Sequence, residues 1–183
     1  MRVFGIDCGT EVTGYGVVES DGEPPLGRRP LPGEPRAGRA PRLVCCGLGA
    51  IRLKKSMALP ERLAQVYREL TAALVCWQPE VVAIEEVFYS VNAKSALKLG
   101  QVRGVALLAA ADQHLPIAEY APLKIKSSVV GYGLAKKEQV QFMVARLLEM
   151  RETPEPPDAA DALAIAICHI HTAQTLRHQG VLQ

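Results

Sequence analysis

Apolar residues along this chain follow two rhythms, and the change between them outlines a fold. Val3 to Ile6 is a short apolar run that stops at Asp7. Gly14-Tyr15-Gly16-Val17-Val18 follows after one turn, and Leu43 to Leu53 resumes further on. Such runs predict strands, and three in succession suggest an antiparallel meander. From Pro60 to Cys76 the spacing becomes helical, with Leu63, Val66, Tyr67, Leu70 and Leu74 recurring and Pro60 suited to a first helical turn. Val81-Val82-Ala83-Ile84 is a continuous apolar run of buried-strand type that ends at Glu85. Helical sequence returns from about Ser95 to Asp112, and Ile117 to Tyr120 reads as a further strand. Helices around Leu123 to Val130, Lys137 to Met150 and Asp158 to Gln174 complete the chain. Three strands followed by alternating helix and strand predict an α/β fold. Its mixed five-stranded sheet has three antiparallel strands and then two parallel ones, with helices on both faces.

One stretch breaks the pattern. Residues 21–41 hold six prolines and four glycines together with Arg28, Arg29, Arg36 and Arg39. Too few residues precede it to fold alone, so it reads as a flexible insertion within one domain spanning 1–174, with 175–183 as a C-terminal tail. The length of 183 residues suits that single domain, and 49% apolar with 22% charged residues is ordinary globular composition. A net charge of +2 excludes histone-like binding but leaves room for a local basic face. No apolar run reaches the ~18 residues of a membrane helix. The five cysteines, none in a CxxC spacing, argue against a disulfide framework and for a reducing, cytoplasmic setting. Cys45, Cys46 and Cys76 read as small core residues.

The acids carry the chemistry. Asp7 and Glu85 each end an apolar run that must be buried. If their strands are parallel neighbours, both side chains emerge at the carboxyl edge of the sheet, where open α/β sheets place their sites. Asp158 and Asp161 open the last helix three residues apart and therefore share a face. Small residues around them, Ala159, Ala160 and Ala162, allow another element to approach closely. Converging carboxylates repel unless a cation neutralises them, and oxygen donors without Cys or His select Mg²⁺ or Mn²⁺ over zinc. Four such ligands suit a pair of ions acting on a phosphodiester. Taken singly, Asp158 also fits a helix cap and Asp7 a turn residue before Gly9. The joint pattern favours the site.

These residues resemble a known family. Gly5-Ile6-Asp7-Cys8-Gly9-Thr10 with Thr13-Gly14-Tyr15-Gly16-Val17, Ala83-Ile84-Glu85-Glu86-Val87-Phe88, the run Asn92 to Gln101, and Asp158-Ala159-Ala160-Asp161-Ala162-Leu163-Ala164 are similar to the RuvC family of Holliday-junction resolvases. The resemblance runs from Met1 to about Thr172, interrupted by the 21–41 insertion. It implies a ribonuclease H-like fold and a homodimer that nicks two opposed strands of a four-way DNA junction. It also implies two Mg²⁺ ions per site, with Mn²⁺ able to substitute, and association with the branch-migration complex RuvA-RuvB. Position by position, Asp7, Glu85, Asp158 and Asp161 match the metal-binding acids. Phe88 matches an aromatic that stacks on bases near the junction centre, and Lys126 and Lys137 match basic residues supporting DNA binding and catalysis. Cys8 stands where the family usually has proline, which implies a less rigid turn after Asp7.

Around those positions, Lys94, Lys98, Arg103, Lys124 and Lys136 supply further charge for phosphate contacts. His169 and His171 flank Ile170, but alternate residues of a helix diverge, so a zinc pair is not expected. The helix from Ser95 to Asp112 is apolar around much of its circumference, with Gly100 and Gly104 four residues apart and Leu108 beyond them. Its surplus apolar surface fits either burial within one protomer or a dimer seam, and the resemblance points to the seam. Two other classes are weighed against the nuclease. A phosphotransferase of the actin and sugar-kinase superfamily needs a second domain for which the length leaves no room. A non-catalytic DNA-binding protein predicts a lost acid, and all four are present.

Overall fold

The structure, a computed structural model, describes residues 1–21, 42–86 and 93–179. Nearly all of the 21–41 insertion and Phe88 therefore lie outside the described residues. The elements run β1 (Arg2–Asp7), β2 (Val12–Ser20), β3 (Leu43–Arg52), α1 (Leu59–Trp77), β4 (Val81–Glu85), α2 (Ala93–Asp112), β5 (Ile117–Tyr120), α3 (Pro122–Val130), α4 (Lys137–Leu147) and α5 (Pro157–His178). The strands form one sheet in the order β3-β2-β1-β4-β5. β1, β2 and β3 pair antiparallel, while β4 and β5 run parallel to β1. The mixed sheet read from the sequence is the one observed.

The alternation of side chains along the strands sends two cores to opposite faces. Phe4, Ile6, Val17 and Ile84 meet α1 and α2 through Val66, Leu70, Leu74, Val102 and Ala106. Val3, Val18 and Ala83 meet α3, α4 and α5 through Ile125, Val140, Leu163 and Ile167. Helix α5 is apolar nearly all round because it lies between the sheet and the α3–α4 pair, and its residues 162–168 are all buried.

Several boundaries and the burial of three cysteines differ from expectation. α4 stops at Leu147 instead of Met150, because Glu149 turns left-handed with φ 52°. α5 runs four residues past Gln174, so the expected tail begins as helix. α1 opens a residue early at Leu59, where the Glu61 carboxylate accepts the Ala58 N–H at 3.1 Å. Cys76 is exposed rather than in the core, because α1 buries the face carrying Val66, Leu70 and Leu74. Cys45 and Cys46 are only half-buried.

Candidate active site

The site begins with strand register. β1 and β4 are parallel neighbours paired through Ile6 and Ile84, so the next residue on each, Asp7 and Glu85, stands at the same carboxyl edge. Because Ile6 and Ile84 face α1 and α2, alternation turns both acids toward α5.

Glycines let α5 come close. Gly5 and Gly16 are cross-strand partners, and Gly14 sits opposite Asp7. A Cβ at Gly14 would stand 2.1 Å from the Asp158 carbonyl oxygen, and one at Gly5 would stand 2.0 Å from that of Ala162. The helix thus rests on bare strand backbone, which holds Asp158 and Asp161 over the end of β1. Close approach from the helix side was legible in Ala159, Ala160 and Ala162. The strand glycines that complete it are residues sequence reasoning missed, and their only signal was glycine recurring inside strand-like runs.

A cleft of about 190 Å³ opens here, lined by Asp7, Glu85, Asp161, Lys126 and Lys137 with Ile125, Val140 and Ile165 among its apolar walls. Asp158 lies beside this lining, close enough for its charge to act on Asp7. Burial, followed by the charges of Asp161, Glu85 and Asp158, pushes the Asp7 carboxyl up to about 7 against partial relief from Lys137. Glu85 is raised by burial and by Asp161, with Lys126 and Lys137 opposing. The Lys137 ammonium pairs with Asp161. Burial works against the lysine's charge, but that bond and the surrounding carboxylates raise its pKa.

The helix-cap alternative for Asp158 fails: the cap position is Pro156, and no side chain caps the helix. The remaining candidates sort clearly. His169 bonds the Tyr120 hydroxyl at 2.8 Å and His171 accompanies the Ser128 carbonyl at 3.0 Å, so the two histidines do not share a ligand. Arg103, expected to reach phosphate, is turned inward onto Glu85 and Glu119. Lys124 and Lys136 are exposed beside the cleft-forming helices. Gly100, Gly104 and Leu108 lie on an open face of α2, where among the described residues nothing comes within 4 Å of a Cβ built on either glycine.

A divalent cation fits this donor set. Oxygen-only ligands suit hard ions, and burial together with the neighbouring acids raises Asp7 and Glu85, a penalty on their charged forms that a bound cation would relieve. Among the described residues, no three acids are already drawn into a finished ligand shell. Mutual repulsion and the Lys137–Asp161 pair both oppose such closure.

Known proteins resemble the whole arrangement. The family model described as "Crossover junction endodeoxyribonuclease RuvC" matches residues 36–169. A crossover junction endodeoxyribonuclease RuvC from Acidobacterium capsulatum is 66% identical over 98% of both chains. The solved Thermus thermophilus RuvC superposes with a TM-score of 0.81 at 31% identity, covering 96% of each chain. The same organism's RuvC in complex with a Holliday junction substrate gives 0.80 at 28% identity, again over 96% of each.

Proposed function

The chain belongs to the RuvC family of crossover junction endodeoxyribonucleases, and from that premise we propose that it resolves four-way DNA junctions, using Asp7, Glu85, Asp158 and Asp161 as its catalytic acids. The reaction is hydrolysis of one phosphodiester on each of two opposed strands, in recombination and repair. The observation that carries this reading is the convergence of Asp7 from β1, Glu85 from β4 and Asp161 from α5 on one cleft that also holds Lys126 and Lys137.

In this reading the four acids hold two Mg²⁺ ions, or Mn²⁺ in their place. Those ions supply Lewis-acid stabilisation of the phosphate's developing charge and a supply of hydroxide near neutral pH. The protein's own contribution is positional and electrostatic. Asp7, raised to about 7 by burial and the acids around it, would have to give up its proton to serve as a metal ligand, which would couple metal binding to deprotonation. Lys137 Nζ, paired with Asp161, would be available to a phosphate oxygen if Asp161 held a metal ion instead. Lys126 lines the same cleft and lowers the cost of bringing a second anion beside Glu85. The apolar wall of Ile125, Val140 and Ile165 limits water around the phosphate.

Phe88 stacks on bases at the junction centre, a role consistent with its position three residues beyond Glu85. The working unit is a homodimer joined along the α2 face that carries Gly100, Gly104 and Leu108. The nuclease domain spans 1–174 around the 21–41 insertion. It works in the cytoplasm alongside the RuvA-RuvB branch-migration complex. No helix among the described residues is long and apolar enough to cross a membrane.

Replacing the acids singly tests the assignment. Asp7→Asn, Glu85→Gln, Asp158→Asn and Asp161→Asn are each expected to lower junction cleavage by roughly 100-fold or more while the proteins still retard a junction in a gel, since the metals provide most of the activation. Near wild-type cleavage by any of the four removes that acid from the site.

A further inference from the structure

Strands β1 and β4 end level with one another, at Asp7 and Glu85, and something must satisfy the backbone carbonyl left at the end of their ladder. The Val82 and Glu86 N–H groups each donate 2.9 Å bonds to carbonyls of Pro116 and Tyr120 on the β5 side. By the alternation of a strand, Glu85 turns its own carbonyl toward β1. Pairing with β1 ends at Ile6 and Ile84, so no strand residue continues the ladder there. An orphaned carbonyl at this point would leave the last residue of β4 free to rotate.

Arg103 fills the vacancy. Its Nε donates to the Glu85 carbonyl at 3.2 Å, and its Nη2 ion-pairs with Glu119 of β5. The side chain is 17% exposed. It projects from the turn of α2 whose neighbours Val102 and Ala106 pack on the sheet. Glu119 is the register partner of Ile84, and so shares the α2 face. The Glu85 carboxylate points the other way, into the cleft. One guanidinium therefore grips the end of β4 from behind and ties it to β5.

We propose that Arg103 is a positioning residue: by holding the Glu85 backbone from the face opposite the cleft, it sets where the Glu85 carboxylate is presented. This rests on Glu85 being one of the catalytic acids. The planar fork is essential, because two acceptors on different strands must be engaged at fixed spacing, which a single ammonium does poorly. The role differs from that of a phosphate contact, which affects DNA affinity first.

The test uses the full chain, with Arg103→Met, Arg103→Lys and Glu119→Gln. Mn²⁺ binding is measured without DNA by counting free Mn²⁺ in electron paramagnetic resonance, junction affinity is measured in EDTA, and cleavage is measured at saturating junction. Arg103→Met is expected to weaken Mn²⁺ binding and lower kcat by about 10- to 100-fold, the usual cost of losing a residue that orients a metal ligand. Its junction affinity in EDTA is expected to stay within about 2-fold, with Arg103→Lys and Glu119→Gln intermediate in Mn²⁺ binding and kcat. Wild-type Mn²⁺ affinity and kcat in Arg103→Met overturn the proposal, as does a loss confined to junction affinity. If Arg103→Met fails to fold, Glu119→Gln and Arg103→Lys decide together: the first keeps the Nε bond but reduces the other arm from an ion pair to a neutral hydrogen bond, the second loses the fork, and unchanged Mn²⁺ binding in both rejects the clamp. Glu85→Gln is measured in parallel, and full cleavage by it would reject the role of Glu85 itself, independently of Arg103.

Discussion

Asp7 shows how one residue links fold, charge and reaction. Its carboxyl, ordinarily near 3.8, is pushed up to about 7 by burial and by the acids around it. Between those values the folded state keeps a proton that the unfolded chain has released. Stability is therefore lost as pH rises through that window and levels off above it. Glu85, raised in the same direction, adds to the trend. The exposed Glu19, held low by Arg2, acts in the opposite sense below the window. In EDTA, thermal unfolding followed by circular dichroism is expected to fall by several degrees between pH 5 and pH 8. Asp7→Asn is expected to flatten the slope, and Mg²⁺ at pH 8 to reverse the loss. The four acids were legible in the sequence because each sits where an apolar run ends or a helix opens. Arg103 was legible only as a charge: nothing in one dimension says that the Glu85 carbonyl, at the end of the β1–β4 ladder, needs a donor. Cys8, noted for replacing a proline, has a thiol that burial and Asp7 push up to about 12, which leaves it unreactive.

At the scale of elements, the decisive contact is α5 lying on strand backbone. Gly14 and Gly5 are required there by proximity to helix carbonyls, with no left-handed turn involved. Gly14→Ala must displace the start of α5, moving Asp158 away from Asp7. A cost of about 1–3 kcal/mol is expected from overpacking, with a fall in kcat larger than any change in junction affinity. Denaturant unfolding and single-turnover cleavage check both; unchanged values would mean the helix tolerates the shift. The apolar rhythm of α5 announced a buried helix, and its alanines announced close packing. Its partners stayed hidden, because strand pairing joins Gly5 to Gly16 across residues far apart in the chain. Helix ends were the least legible feature, since the stop of α4 depends on the left-handed backbone at Glu149 and no glycine or proline marks it.

At the scale of the molecule, helix α2 presents an apolar face that no other described residue covers. Leu97 and Leu108 on α2 are 71% and 58% exposed, and Gly100 and Gly104 between them are open. Burial within one protomer, one of the two readings of this helix from sequence, does not hold for these residues. Two-fold pairing along the face would set two clefts against two opposed DNA strands. Leu108→Glu is expected to shift sedimentation from dimer to monomer and to reduce paired nicking in favour of single nicks. The mixed sheet of three antiparallel and two parallel strands followed from the apolar rhythm, whereas the strand order, and which apolar surface of α2 stays exposed, needed three dimensions. The most direct measurement of the central claim labels each strand of a four-way junction and compares its cleavage with that of linear duplex and an RNA–DNA hybrid, in Mg²⁺ and in EDTA. The expected result is symmetric nicking of two opposed strands of the junction in Mg²⁺, none in EDTA, and little cutting of the other substrates. Comparable cutting of duplex or hybrid, or junction binding with no cleavage in Mg²⁺, would contradict a metal-dependent junction resolvase.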